Sequence, residues 1–224
     1  MDGLLMRKLA TPSLLVAAIA LALAAASTIR DVPAATIVVP PDPSTMDAVT
    51  LVSNACSKCH GPSGNGVSIS PLFPILAGQL PVYLETELKL FRQRGRSDPR
   101  ARGFMWGIAR GLTDEQIRGV ALYFSKQPPV PGRPSSNPAL ADKGKLLYEN
   151  GAKERDVEAC IVCHGANGEG VNTNPRIAGQ HRDYFVREMV QFRGRLRENK
   201  VMQDVTQKLT DDEIAALDEY VSTK

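Results

Sequence analysis

The chain is poor in the residue types that carry most metal and redox chemistry: 224 residues contain four cysteines and three histidines. It also has little net charge, +3, too small a surplus to argue for a nucleic-acid partner, and no stretch resembles a nucleic-acid-binding module. No run alternates convincingly between apolar and polar residues, so nothing argues for a sheet, and the βαβ setting of a thioredoxin-like dithiol is missing. Apolar content is ordinary at 43%, so the chain is globular rather than disordered.

The scarce residues are concentrated. All four cysteines and two of the three histidines fall in "CSKCHGPSGNG" (56–66) and "CIVCHGANGEG" (160–170). The rest of the sequence repeats around them in the same order. "FPILAGQLPVYLETELKLFRQRGR", Met105 and "LTDEQIRGVALYFSKQ" follow the first; "NPRIAGQHRDYFVREMVQFRGRLR", Met202 and "LTDDEIAALDEYVSTK" follow the second. Met105 and Met202 each stand seven residues before the Leu of "LTD". Self-similarity of this kind marks a duplicated unit. Between the copies lies "QPPVPGRPSSNPALA" (127–141), whose prolines predict an extended, irregular and fairly stiff linker. The expected domains are therefore 43–126 and 142–224.

The N-terminus is different in kind. "MRK" (6–8) precedes "LLVAAIALALAAAS" (14–27), a basic start, a short apolar run and a small-residue end at Ala24-Ala25-Ala26. Residues 1–26 read as an export signal. The alternative is a retained anchor, since Leu9 to Ile29 just reaches the roughly 20 apolar residues that span a bilayer. Either reading puts the remainder outside the cytoplasm, where paired cysteines oxidise unless something occupies them.

The copies read as all-α. "TDEQ" (113–116) and "TDDE" (210–213) are capping boxes, with Thr113 and Thr210 as N-caps and Gln116 and Glu213 closing them. Leu112, Ile117, Val120, Ala121 and Phe124 then share one helical face, as do Ile214, Leu217, Tyr220 and Val221; Leu84, Leu88 and Phe91 form another. A unit of about 80 residues has a marginal apolar core, and a bulky apolar group in its middle would complete it.

Four chemistries compete for Cys-x-x-Cys-His. A single zinc site would have to gather thiolates from both sides of a proline-rich linker, at poor spacing. A redox dithiol lacks its fold. A disulfide within each pair closes a tight loop that constrains little chain. Covalent c-type haem fits: three residues are nearly one helical turn, so Cys56 and Cys59, and likewise Cys160 and Cys163, present both sulfurs to one macrocycle edge. The adjacent His60 and His164 then bind iron. The matched Met105 and Met202 are the expected opposite ligands, since a thioether favours ferrous iron and raises the potential. Met189 reads as core, because the first half has Leu88 in its place. His181 reads as an exposed helix-start histidine, because Leu80 matches it. Pro74 and Pro175 stand at matched places before "AGQ", where their carbonyls could accept the His Nδ1 proton. The glycine runs resemble phosphate loops but are better read as turns that let backbone pass close to a flat cofactor.

"KLFRQRGRSDPRAR" (89–102) has six basic residues against one acid. It is either a solvated helix end or a surface that neutralises haem propionates or an acidic partner. Residues 27–126 hold eleven Lys and Arg against eight Asp and Glu, and residues 142–224 thirteen against fifteen, which makes the chain a mild dipole.

These segments together resemble the dihaem cytochromes c of the cytochrome c4 type. The resemblance rests on "CSKCHGPSGNG", "FPILAGQ" and "LTDEQIRGVALYFS" in one half. In the other it rests on "GKLLYENG", "CIVCHGANGEG", "PRIAGQHRDYF", "QFRGRLRENKVM" and "LTDDEIAALDEYV", and it covers nearly everything from about residue 47 to 224. It implies two class I cytochrome c domains related by a pseudo-twofold, two covalent haem c groups, ligation by His60–Met105 and His164–Met202, and electron transfer in the periplasm. It also implies redox-protein partners, a bc1-type donor and a terminal oxidase, often of the cbb3 type. The chain departs locally, with "GRSDPRARGFM" longer than its counterpart. A retained N-terminus would tether this member to the outer face of the inner membrane. No acid–base set accompanies either motif, so no catalytic residue is assigned and the chain reads as a carrier. The rival readings are a dihaem subunit of a larger dehydrogenase, such as the partner of a flavocytochrome c sulfide dehydrogenase or of a quinoprotein dehydrogenase, and a dihaem peroxidase. A haem sensor lacks an output domain.

Overall fold

The computed structural model describes residues 47–66 and 70–224; the N-terminal apolar segment lies outside them. The described chain is helical, with two isolated bridges, Ala152 to Val157 and Val171 to Asn174. In the first half α1 (Ala48–Leu51) runs through a π-turn (Val52–Cys56) into α2 (Ser57–His60). Then come α3 (Pro81–Arg92), a second π-turn (Ala101–Met105), α4 (Trp106–Ala109) and α5 (Asp114–Ser125). The second half has α6 (Pro138–Asn150), a short 3-10 turn (Lys153–Arg155), α7 (Cys160–His164), α8 (Arg182–Arg193), α9 (Lys200–Gln207) and α10 (Asp211–Val221).

Local sequence accounts for the helix starts. Both capping boxes form: Thr113 and Gln116 exchange side-chain and backbone bonds at the start of α5, and Thr210 and Glu213 at the start of α10, each satisfying two orphan N–H groups. α3 and α6 carry proline in their first turn, where its fixed φ suits the helix and its missing N–H costs nothing. That proline also moves a boundary. The irregular stretch expected over 127–141 ends at Asn137, which caps α6 by accepting from Leu140 N at 3.1 Å.

Each half closes on its own apolar cluster. Leu51, Leu84, Leu88, Ile117, Val120 and Phe124 form the first, with Cys56 and Met105 packed against it. Tyr148, Phe185, Met189, Ile214, Leu217 and Val221 form the second, with Cys160 and Met202 packed against it. Where the first and last helices of a half cross, glycine sets the distance. A Cβ on Gly144 of α6 would lie 1.9 Å from Ala216 O of α10. The first half makes the same crossing from the other side, with Gly119 of α5 against Ala48 of α1.

The linker docks on the second half. Ser135 and Ser136 hydroxyls donate to Glu219 at 2.6 Å each, and Arg133 N donates to Ser222 O at 2.8 Å. Arg182 pairs with the same carboxylate and holds Glu219 well below the usual carboxylate range. Its neighbour Asp218 is worse placed: Oδ1 is buried without a hydrogen bond, and Arg182 stands 3.9 Å away. Burial pushes the Asp218 carboxyl up to about 6.

Two outcomes are expected. Gly144→Ala lowers the melting temperature, by about 1–3 kcal/mol of stability, whereas Gly111→Ala, at an exposed position after α4 whose Cβ would meet nothing within 4 Å, is neutral or slightly stabilising in the same melt. Asp218 binds its proton more tightly in the folded chain than in the unfolded one, where its pKa is about 4. Its contribution therefore falls as pH rises from about 4 through about 6. Asp218→Asn should raise the melting temperature at pH 7, by on the order of 1–2 kcal/mol, and lose that advantage below about pH 4.

Candidate haem site

Helices α2 and α7 carry the two Cys-x-x-Cys-His segments, and each stops at a glycine with positive φ, Gly61 (78°) and Gly165 (82°), a backbone conformation that favours glycine. The loop then folds back. Gly66 N donates to His60 O at 2.9 Å and Gly170 N to His164 O at 2.8 Å. Gly64 O accepts from the N–H groups of Leu76 and Ala77, and Gly168 O from those of Ile177 and Ala178. These glycine runs use their backbone groups on their own fold, which is not how a phosphate cradle is built.

The folded-back strands deliver Pro74 and Pro175. His60 Nδ1 lies 2.9 Å from Pro74 O, and His164 Nδ1 lies 2.9 Å from Pro175 O. A carbonyl can only accept, so Nδ1 carries the hydrogen and Nε2 is the ring nitrogen available to a metal. Both rings are buried, and burial lowers both pKa values against the opposing pull of the proline carbonyl. The imidazoles are thus neutral, as ligation requires.

One continuous cavity of about 720 Å³ takes in both segments. Its walls carry Cys56, Cys59, His60 and Met105 from the first half and Cys160, Cys163, His164 and Met202 from the second. Most of the remaining wall is apolar, with Leu84, Leu88, Phe91, Phe124, Phe185 and Phe192, and it also carries charged groups, among them Glu87, Arg96, Glu188 and Arg197. Paired thiols beside an imidazole whose Nε2 is free for a metal, with a thioether on the wall of the same cavity, fit a covalently held haem in each half. The other chemistries fit less well. All four thiols are free rather than paired in disulfides. Burial pushes the Cys56 and Cys160 thiols up to about 11, whereas a redox dithiol needs a depressed one. No group of three or more His, Cys, Asp or Glu side chains able to hold a zinc ion occurs among the described residues.

The two methionines reach the cavity differently. Met105 ends the second π-turn, and Met202 sits in the first turn of α9, where its N–H is capped by Asn199 at 3.0 Å. Met189 is buried in the second core. His181, expected to be exposed, is half-buried: its Nε2 lies 3.0 Å from Gly66 O of the first half, because that loop packs over the start of α8. It does not line the cavity.

Sequence reading missed the seam between the halves. Arg96, placed in a basic stretch, is 5% exposed. It bonds Glu87 at 2.7 Å within its half, Glu188 at 2.9 Å across the seam, and Asp98 at 2.8 Å. Arg197 mirrors it, reaching Glu188 at 2.7 Å and, across the seam, Glu87 at 3.1 Å and Tyr83. Burial opposes ionisation of Glu87, but Arg197 and Arg96 hold its carboxyl below the usual range. Burial pushes the Tyr184 phenol up to about 12. Buried Gln79 and Gln180 also cross, to the main chain of Arg176 and Ile75 respectively. The available signal was repetition: Tyr, Glu, Arg and Gln each recur at matched places in both copies.

The family model for cytochrome c matches residues 46–127 and again 141–224. The chain belongs to the cytochrome c family. Several of its relatives are named cytochrome c4: cytochrome c4 of Thiocapsa roseopersicina is 39% identical over 175 residues, covering 75% of this chain and 86% of that protein. A solved cytochrome c4 from Acidithiobacillus ferrooxidans superposes with a TM-score of 0.70 at 31% identity, over 75% of this chain and 98% of the other. A protein named thiosulfate dehydrogenase electron acceptor, from Stutzerimonas stutzeri, is 33% identical over 74% of this chain and 77% of its own length. A solved thiosulfate dehydrogenase from Marichromatium purpuratum matches at a TM-score of 0.68 and 30% identity, over 79% of this chain and 39% of that one. The chain is a dihaem electron-transfer protein with two haem c groups, a carrier and not an enzyme.

Removing one partner from the seam leaves buried charges uncompensated. Glu188→Ala is expected to cost about 3–5 kcal/mol in a denaturant melt, while Glu115→Ala, which breaks the exposed pair with Arg118, should leave the melt nearly unchanged.

Proposed function

We propose that Cys56 and Cys59 anchor one haem c through thioethers, with His60 and Met105 as its axial ligands, and that Cys160, Cys163, His164 and Met202 do the same for the second. The observation that carries this reading is the twofold repetition of one donor set on the walls of a single, mostly apolar cavity. Iron held between imidazole and thioether supplies a one-electron couple at a raised potential. The chain's own residues do the rest. Pro74 and Pro175 orient the imidazoles. Leu84, Phe91, Phe185 and Phe192 keep water from the centre, which favours the less charged ferrous state. Met105 and Met202 would each offer a thioether to the iron, so that no position would stand open to a substrate.

The carrier works outside the cytoplasm, in the periplasm, either free after loss of residues 1–26 or tethered by them. The signal-like pattern of those residues supports this, and the mature N-terminus of exported protein, read by mass spectrometry, tests it. Its partners are a bc1-type donor and a terminal oxidase. Exposed Arg94, Arg102 and Arg110, none of which lines the cavity, flank Met105 in the chain, which suits an acidic partner face at the first half. The relatives named as thiosulfate dehydrogenase electron acceptors favour a second reading, in which a dehydrogenase is the donor. Copurification with a large catalytic chain would select it.

The absorbance spectrum of the reduced protein, before and after carbon monoxide at neutral pH, tests the ligand set. Wild type should not change. Met105→Ala and Met202→Ala should each bind about one carbon monoxide per chain, and the double variant about two, as each lost thioether opens one site. Ready binding by wild type would overturn the ligand assignment.

A further inference from the structure

We propose that Gln79 and Gln180 are positioning residues that each half supplies to the haem of the other, acting through the peptide group that orients the axial histidine. The proposal rests on His60 and His164 being the iron ligands. Pro74 C=O and Ile75 N–H belong to one planar peptide group. Its oxygen takes the His60 Nδ1 hydrogen at 2.9 Å, and its N–H donates to Gln180 Oε1 at 2.9 Å. Gln180 Nε2 closes the pair by donating to Ile75 O at 3.1 Å. The second half repeats this in mirror. The Pro175–Arg176 peptide takes the His164 hydrogen at 2.9 Å and donates to Gln79 Oε1 at 2.8 Å, and Gln79 Nε2 donates to Arg176 O at 2.9 Å. Both amides are buried, 6% and 8% exposed. Each oxygen also accepts the N–H of the residue after it, Leu80 or His181, so each amide is fixed in orientation.

A chain of hydrogen bonds polarises its members in one direction. An acceptor on the peptide N–H makes the peptide oxygen more negative. That oxygen then draws harder on the imidazole N–H, and the imidazole becomes a stronger donor to the metal. Stronger donation favours the ferric state. Gln180 therefore lowers the potential of the centre that His60 ligates, and Gln79 lowers that of the centre that His164 ligates. An amide that merely glued the seam would have no reason to act across it.

The test uses the full haem-loaded chain and a potentiometric titration of both haems. NMR signals of the bound methionine methyls, assigned through Met105→Ala and Met202→Ala, tell the two apart. Gln180→Leu should raise the potential of the first-half haem, increasing its reduced-to-oxidised ratio at fixed solution potential by roughly two- to tenfold, and leave the second within about twofold. Gln79→Leu should do the reverse. Gln180→Glu keeps an acceptor on the Ile75 N–H and is close in size, so it also serves if the leucine variant does not fold; it should hold or lower the first potential. A shift confined to the variant's own half, an equal shift of both, no shift, or a rise in Gln180→Glu would overturn the proposal. If neither methionine variant removed a methyl signal, the ligand assignment itself would fall, and the relay with it.

Discussion

Everything in each half is arranged around one hydrogen bond, from the histidine Nδ1 to a proline carbonyl eleven or fourteen residues further on. The bond needs the chain to double back within a short loop. Gly61 and Gly165 turn it out of the helix, and the carbonyls of Gly64 and Gly168 catch it again at Leu76 and Ile177. At Gly64 only glycine works: φ is 73°, and a Cβ would stand 2.5 Å from the Phe124 ring. That contact ties the loop to α5, and α5 to the core on which Cys56 and Met105 rest. A tautomer is thereby chosen by backbone geometry.

Duplication has kept this frame while letting its parts drift. The close helix crossing takes its glycine from the last helix in one copy and from the first in the other, since what matters is the missing Cβ and not which helix lacks it. Met105 arrives on a π-turn and Met202 on a capped helix. The longer first-half loop "GRSDPRARGFM" thus brings its methionine to the cavity by a different local turn. Arg94 and Arg195 both sit in the left-handed region, at φ 59° and 57°. The turn that leads Arg96 and Arg197 into the seam is thus conserved between the copies at a conformational cost.

What was legible in the sequence was local or strictly spaced. The capping boxes at Thr113 and Thr210 involve residues three apart, so pattern and structure coincide. Cys-x-x-Cys-His is read the same way, and Pro74 and Pro175 could be suspected because they recur at one place before "AGQ". The seam was not legible because its meaning lies in long-range pairing. Glu87 and Arg96 look like ordinary charges on a helix and its exit until the other copy is folded against them. Gln79 and Gln180 have no distinctive chemistry alone. His181 misled for the same reason: Leu80 matches it in sequence, and only the packing of the Gly66 loop decides its burial.

The seam also explains why two small helical units behave as one body. Each has about 80 residues, and a core of that size is marginal by itself. The surface between them is not a smooth apolar face that could be parted and wetted at small cost. It holds two guanidinium groups and two carboxylates whose partners are divided between the copies, so separation would break pairs that neither copy completes alone. The same holds for the peptide groups behind the two histidines, each satisfied by an amide from the opposite copy. With the linker pinned at Ser135, Ser136 and Glu219, the copies are held by interlocked polar contacts. Such contacts demand one register, and that register is what keeps both cysteine–histidine segments on the walls of one cavity.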